Sequence, residues 1–101
     1  MARTPQIGLS TIIRRNSDIL TEAIDDELVM LNLEAGKYYG LDDIASHIWS
    51  ELEEPLSAEK LCESLTAKFD VDRETCQRET LEFLNWLLAE NLVETDETTH
   101  P

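Results

Sequence analysis

The stretch Glu27-Leu28-Val29-Met30-Leu31-Asn32-Leu33-Glu34-Ala35-Gly36-Lys37-Tyr38-Tyr39-Gly40-Leu41-Asp42 holds two β-compatible runs, a turn between them and a helix start. Successive side chains of a strand alternate, so within Leu28 to Leu33 the residues Val29, Leu31 and Leu33 share one face, and Leu28, Met30 and Asn32 share the other. The connection Glu34-Ala35-Gly36 places glycine where a three-residue hairpin loop needs a left-handed backbone. Lys37 to Leu41 then has aromatic strand character. Upstream, Ile19 to Ile24 is a further apolar run, joined to the second by the tight acidic connection Asp25-Asp26-Glu27. The expected product is a three-stranded antiparallel meander. Its last strand, Lys37 to Leu41, is an edge by topology, and neither proline nor an internal charge blocks it.

Downstream the period changes from two to that of a helix. Asp42 is placed to N-cap a first helix whose apolar residues Ile44, Ala45, Ile48 and Leu52 recur at helical spacing, ending before Pro55. Ser57 caps a second, with Leu56 and Leu61 in staple positions and a buried stripe of Leu61, Cys62, Leu65 and Phe69. Asp72 caps a third and longest helix, periodic through Thr80, Leu84, Leu87 and Leu88. It stops at Asn91, which tolerates the left-handed position after a helix and lets Leu92 meet Leu87 in a Schellman closure. The expected fold is α+β and winged helix-turn-helix-like, a β-meander followed by three helices.

The ends read differently. Residues 1–18 form an arm with Pro5, Gly8 and a short strand-like run, Thr11-Ile12-Ile13-Arg14, that has no place in the meander. Residues 19–93 form the domain, and 94–101 are read as a disordered acidic tail. Over its 101 residues the chain carries 22 acidic against 8 basic side chains, a net charge of -14. Phosphate backbones and anionic membrane surfaces would be repelled by such a surface, so neither nucleic acid nor membrane is an expected partner. No run reaches the ~20 apolar residues of a membrane span, and no signal-peptide pattern opens the chain, which places the expected location in the cytoplasm. Cys62, Cys76, His47 and His100 have no metal-ligand spacing, and no cofactor is expected.

From about Ile19 to Val93 the pattern resembles the PqqD-like family, the leader-recognition domains of ribosomally synthesised and post-translationally modified peptide pathways. The resemblance is carried by Glu27 to Leu33, Gly36 to Asp42, Ile48-Trp49, Phe69-Asp70-Val71-Asp72, the leucine-rich third helix and Asn91-Leu92-Val93, in that order. Within the family the pairs Leu61-Cys62 and Thr75-Cys76 are most similar to the stand-alone B1 proteins of lasso-peptide clusters. Asn91 departs from the family pattern, which often has glycine there, and the arm near Ile12 is an addition. The resemblance implies a non-catalytic protein that holds a leader segment while a separate leader peptidase removes it and a cyclase closes the ring. A peptide chaperone serving a radical-SAM or other modifying enzyme is the neighbouring alternative.

An open strand edge accepts an extended peptide through backbone hydrogen bonds, with alternate side chains entering pockets. The expected acceptor is Lys37, Tyr38, Tyr39, Gly40 and Leu41, and the resemblance implies a leader lying antiparallel to it beside the third helix. Cys76, Thr80, Leu81, Phe83, Leu84, Leu87 and Leu88 make that helix's apolar stripe broader than a small sheet needs. One margin carries Leu81 and Asn85, the other Phe83 and Trp86. The peptide is expected on the first, giving Gln77, Arg78, Leu81, Leu84 and Asn85 as contacts, with Arg78 at the rim. Against these stand plainer readings. Tyr38 and Tyr39 place one ring in the core and one at the surface, Trp49 packs in the core, and Cys62 and Cys76 are small apolar core residues.

Other function classes fit less well. A winged-helix DNA-binding regulator needs a cationic recognition helix, whereas the third helix sets Glu74, Glu79, Glu82 and Glu90 against Arg73 and Arg78. An acyl-carrier reading lacks the attachment serine, since the relevant turn is Leu41-Asp42-Asp43-Ile44. An enzyme would need a phosphate loop, a metal set or a Cys and His pair, and none is recognisable.

Overall fold

In the computed structural model, which describes residues 7–25 and 27–95, the elements run β1 (Ile12–Arg15), β2 (Ile19–Ile24), β3 (Glu27–Asn32), β4 (Lys37–Leu41), α1 (Asp43–Glu51), β5 (Leu56–Ser57), α2 (Ala58–Lys68), α3 (Arg73–Ala89) and β6 (Val93–Thr95). The expectations for the first six residues, for Asp26 and for residues 96–101 lie outside the described residues. The fold is α+β, and the expected meander is present as a sheet in the order β2-β3-β4, antiparallel throughout.

Two turns fix its register. Ile24 faces Glu27 across the first hairpin, so Glu27 belongs to β3 and not to the connection, while Asp25 takes the left-handed φ of 53° that a short polar side chain tolerates. In the second turn Gly36 has φ 69° as expected, but the loop begins one residue earlier than the sequence suggested. The Asn32 side-chain oxygen accepts from the Ala35 N–H at 3.1 Å, which ends β3 and leaves Leu33 in the turn, exposed. The face carrying Met30 packs inward with Ile19, Tyr39 and Leu41.

All three helices start where a capping side chain was expected. Asp42, Ser57 and Asp72 accept from the N–H groups of Ala45, Lys60 and Thr75. Thr75's donated bonds hold the Asp72 carboxyl below the usual carboxylate range. At the other end of α3, Asn91 has φ 63°, the Leu92 N–H bonds Leu87 O at 2.9 Å and the Asn91 N–H bonds Leu88 O at 3.0 Å. That pair of bonds is the Schellman closure.

Residues 7–18 and 94–95, outside the expected domain, are parts of the fold. β1 is the middle strand of a second sheet, β5-β1-β6, pairing Ile12 and Ile13 with Ser57 and Leu56 on one side and Ile13 to Arg15 with Thr95 to Val93 on the other. Glu94 and Thr95, assigned from the sequence to a disordered tail, are therefore strand residues, and Arg14 lies 3.4 Å from the Glu94 carboxylate. Ile7, Ile13 and Val93 join the common core around Trp49, Leu61, Leu84 and Leu87. Arg15 reaches from this sheet over Trp49, donating to its carbonyl at 2.6 Å and lying 4.7 Å from the ring centre, while the Trp49 indole N–H donates to Thr21 of the first sheet at 2.7 Å. Trp49 is fully buried, in keeping with the core role expected for it.

Candidate functional site

β4 pairs with β3 on one side, and among the described residues no strand pairs with the other. An unpaired row of backbone N–H and C=O groups is a template for another chain. β2 also ends the sheet, but the groove of about 390 Å³ lies beside β4. Gly40 and Leu41 form its sheet-side wall, and Ile44, Ala45 and Ile48 of α1 its floor. Leu65, Phe69 and Val71 close it beneath, and Cys76, Glu79, Thr80, Phe83 and Trp86 of α3 form the opposite wall. Its lining is mainly apolar, with Asp42 and Glu79 supplying carboxylates.

The aromatic wall is ordered by its own contacts. Trp86 stacks on Phe83 at 6.0 Å between ring centres and meets Tyr39 edge-on at 5.4 Å. The Tyr39 hydroxyl donates to Glu90 at 2.9 Å, and the Lys37 ammonium is 3.9 Å from the same oxygen. Desolvation, then the bond to Glu90 and its charge, push the Tyr39 phenol above its ordinary pKa, so it stays a neutral donor at physiological pH. β4 and α3 are thus tied together at one end of the groove. Trp86 nevertheless remains 41% exposed, an indole with an open face toward any occupant.

Residues Lys37 to Leu41, expected as the acceptor, form a strand, β4, with Tyr38 on the outer face and Tyr39 turned toward α3. The helix margin differs from expectation. Leu81 and Asn85 do not line the groove, because that side of α3 is engaged by the chain's own arm: the Ile7 N–H donates to Asn85 at 2.9 Å, and Asn85 donates to Leu81 O. Leu84 is fully buried beneath the helix. Gln77 lines a separate hollow with Glu59, Cys62, Thr66 and Arg73, and Arg78 is exposed outside the groove. The face of α3 that meets the groove is instead the one carrying Glu79, Phe83 and Trp86. Its sequence signal was Trp86 itself, standing beyond the stripe that the core requires.

Among the described residues, the groove lining includes Cys76 but no histidine. Burial pushes the Cys62 thiol up, away from the thiolate form, and Cys76 is buried beside Thr80. His47 shares a hydrogen bond with Ser64 at 2.8 Å and packs edge-on against Phe69, outside the groove lining. Among the described residues no group of three or more His, Cys, Asp or Glu side chains could hold a metal ion, and no helix is long and apolar enough to cross a membrane.

Residues 27–93 match the family described as coenzyme PQQ synthesis protein D (PqqD). Among solved structures, TbiB1 in complex with the TbiA(beta) leader peptide is 38% identical, with 80% of this chain and 94% of that chain covered at a TM-score of 0.74. A lasso peptide synthetase B1 complexed with the leader peptide shares the fold at 23% identity, with 81% and 96% covered and a TM-score of 0.73. No curated protein sequence matches.

Proposed function

The chain belongs to the PqqD family, and from that membership we propose that it captures the leader segment of a ribosomally made precursor peptide in lasso-peptide biosynthesis. The observation that carries this reading is the open edge of β4 beside an apolar groove, supported by the 38% identical protein whose structure holds a leader peptide. The leader adds as a strand against Lys37 to Leu41, and its apolar side chains enter the groove between Leu41 and the Phe83 and Trp86 wall. Backbone pairing fixes register and the pocket supplies selectivity. No bond is made or broken by this chain, which acts in the cytoplasm and hands the bound leader to a separate peptidase and a cyclase.

The test is titration of isotope-labelled protein with the leader segment of the precursor encoded beside its gene. Amide shifts along β4 and at Phe83 and Trp86 are expected, with affinity only weakly dependent on salt because the anchors are apolar. Shifts confined to the β5-β1-β6 sheet would overturn the reading.

A further inference from the structure

The first sheet has a second face, which the groove does not use. Cross-strand register sets Leu20 of β2 opposite Leu31 of β3, and Leu31 opposite Tyr38 of β4, on the side away from Met30. Three apolar side chains therefore form one row across all three strands. Leu20 is 47% and Tyr38 75% exposed, and Ile24, on the same side of β2, is 54% exposed. Scattered exposed apolar residues are ordinary on a protein surface, but a row in register spanning a sheet marks an interaction surface.

The fringe of this row is acidic. Glu22 lies between Leu20 and Ile24 on the same face, while Asp25, Glu27 and Glu34 are exposed at the hairpin ends. Lys37, the cation of this sheet, is engaged with Glu90 on the other side. Two copies of a chain with net charge -14 would bring like fringes together, which disfavours self-association. We propose that the outer face of β2-β3-β4, centred on Leu20, Leu31 and Tyr38, docks a different protein whose contact patch is apolar at its centre and carries Lys or Arg at its rim. The surface borders the proposed leader strand at Tyr38, but Leu20 and Glu22 lie on β2, farthest from β4 and outside the groove lining, so changes there test it apart from the groove.

The full-length protein carrying a photo-crosslinking benzoylphenylalanine at Leu20, or as control at exposed Lys60 on α2, is expressed in cells that carry its gene. The species captured at Leu20 and not at Lys60 is then purified and titrated against wild-type protein and two variants. Leu20→Glu and the charge reversal Glu22→Lys with Glu27→Lys should each weaken that complex at least about tenfold. The wild-type complex should also weaken as salt rises, because the rim is electrostatic. Leader affinity, measured in parallel, should be unchanged in both variants, which separates this surface from the groove and shows that the fold is intact. Equal capture at both positions, or a purified partner indifferent to both variants, overturns the proposal. So does capture of this same chain, with a dimer in sedimentation that Leu20→Glu dissolves.

Discussion

The two sheets of this protein are built to opposite ends. The β2-β3-β4 sheet comes from one continuous stretch of chain, turns through two tight loops and, among the described residues, leaves the outer edge of β4 unpaired. The β5-β1-β6 sheet gathers three short strands from distant parts of the sequence, and its middle strand is covered on both sides by the chain itself. One sheet offers its backbone and the other closes the molecule. Edge strands are hazards that proteins normally cover, and although β2, β5 and β6 are also edges, β4 alone of the strands lines the apolar groove, which gives its edge the form of a site.

The sharpest way to break the comparison is at Ile13, fully buried in the middle of the closing sheet. Truncating a core isoleucine removes transfer energy and leaves a cavity, so Ile13→Ala should destabilise the whole protein by about 3 kcal/mol, read as a lower midpoint in urea unfolding. A loss of under ~0.5 kcal/mol, the level of an ordinary surface change, would mean that the second sheet is an ornament.

The next test separates the two margins of α3. Trp86→Ala should weaken leader binding by about 2 kcal/mol, on the order of thirtyfold, while circular dichroism stays unchanged. Leu81→Ala should do the reverse, lowering stability because Leu81 packs against the core, with calorimetric affinity for the leader altered by less than about twofold. If Leu81 proves the stronger determinant of affinity, the groove is not where the peptide lies.

What could be read from the sequence follows the same division. β2, β3, β4 and the three helices are local objects: alternation, helical spacing and the capping residues Asp42, Ser57 and Asp72 act within a few residues and were all legible. That β4 ends its sheet followed from topology. The closing sheet depends on Ile13 meeting Leu56 and Thr95 across whole strands and helices of intervening chain, and nothing local in Leu56-Ser57 or Val93-Glu94-Thr95 announces a partner. The same blind spot hid which margin of α3 lines the groove. Leu81 and Asn85 looked available only because Ile7, remote in sequence, could not be placed against Asn85.

A smaller effect probes how the open sheet holds its register. Gly36 sits at φ 69° with open space where a Cβ would stand, whereas Gly40 has an ordinary φ and equal room. Gly36→Ala should cost about 1 kcal/mol from backbone conformation alone, and Gly40→Ala should change stability by less than about 0.5 kcal/mol. Equal losses in thermal unfolding would show that the turn is not what sets the pairing of β3 with β4.

The smallest effect concerns α3, which both sheets use: Tyr39 bonds to Glu90 near its end, and its Schellman closure leads directly into β6. Asp72 begins this helix, and the Thr75 N–H holds its carboxyl below the usual pKa in the folded state. A depressed folded pKa adds stability that is present above the unfolded value near 4 and is lost as pH falls through the folded value. Asp72→Asn keeps a capping acceptor but neither titrates nor favours the helix dipole as an anion does. Wild type should therefore exceed the variant at neutral pH, with the gap narrowing as pH drops below about 4. A gap independent of pH would mean that the cap acts through its hydrogen bond alone and that the charge at the start of the shared helix contributes nothing.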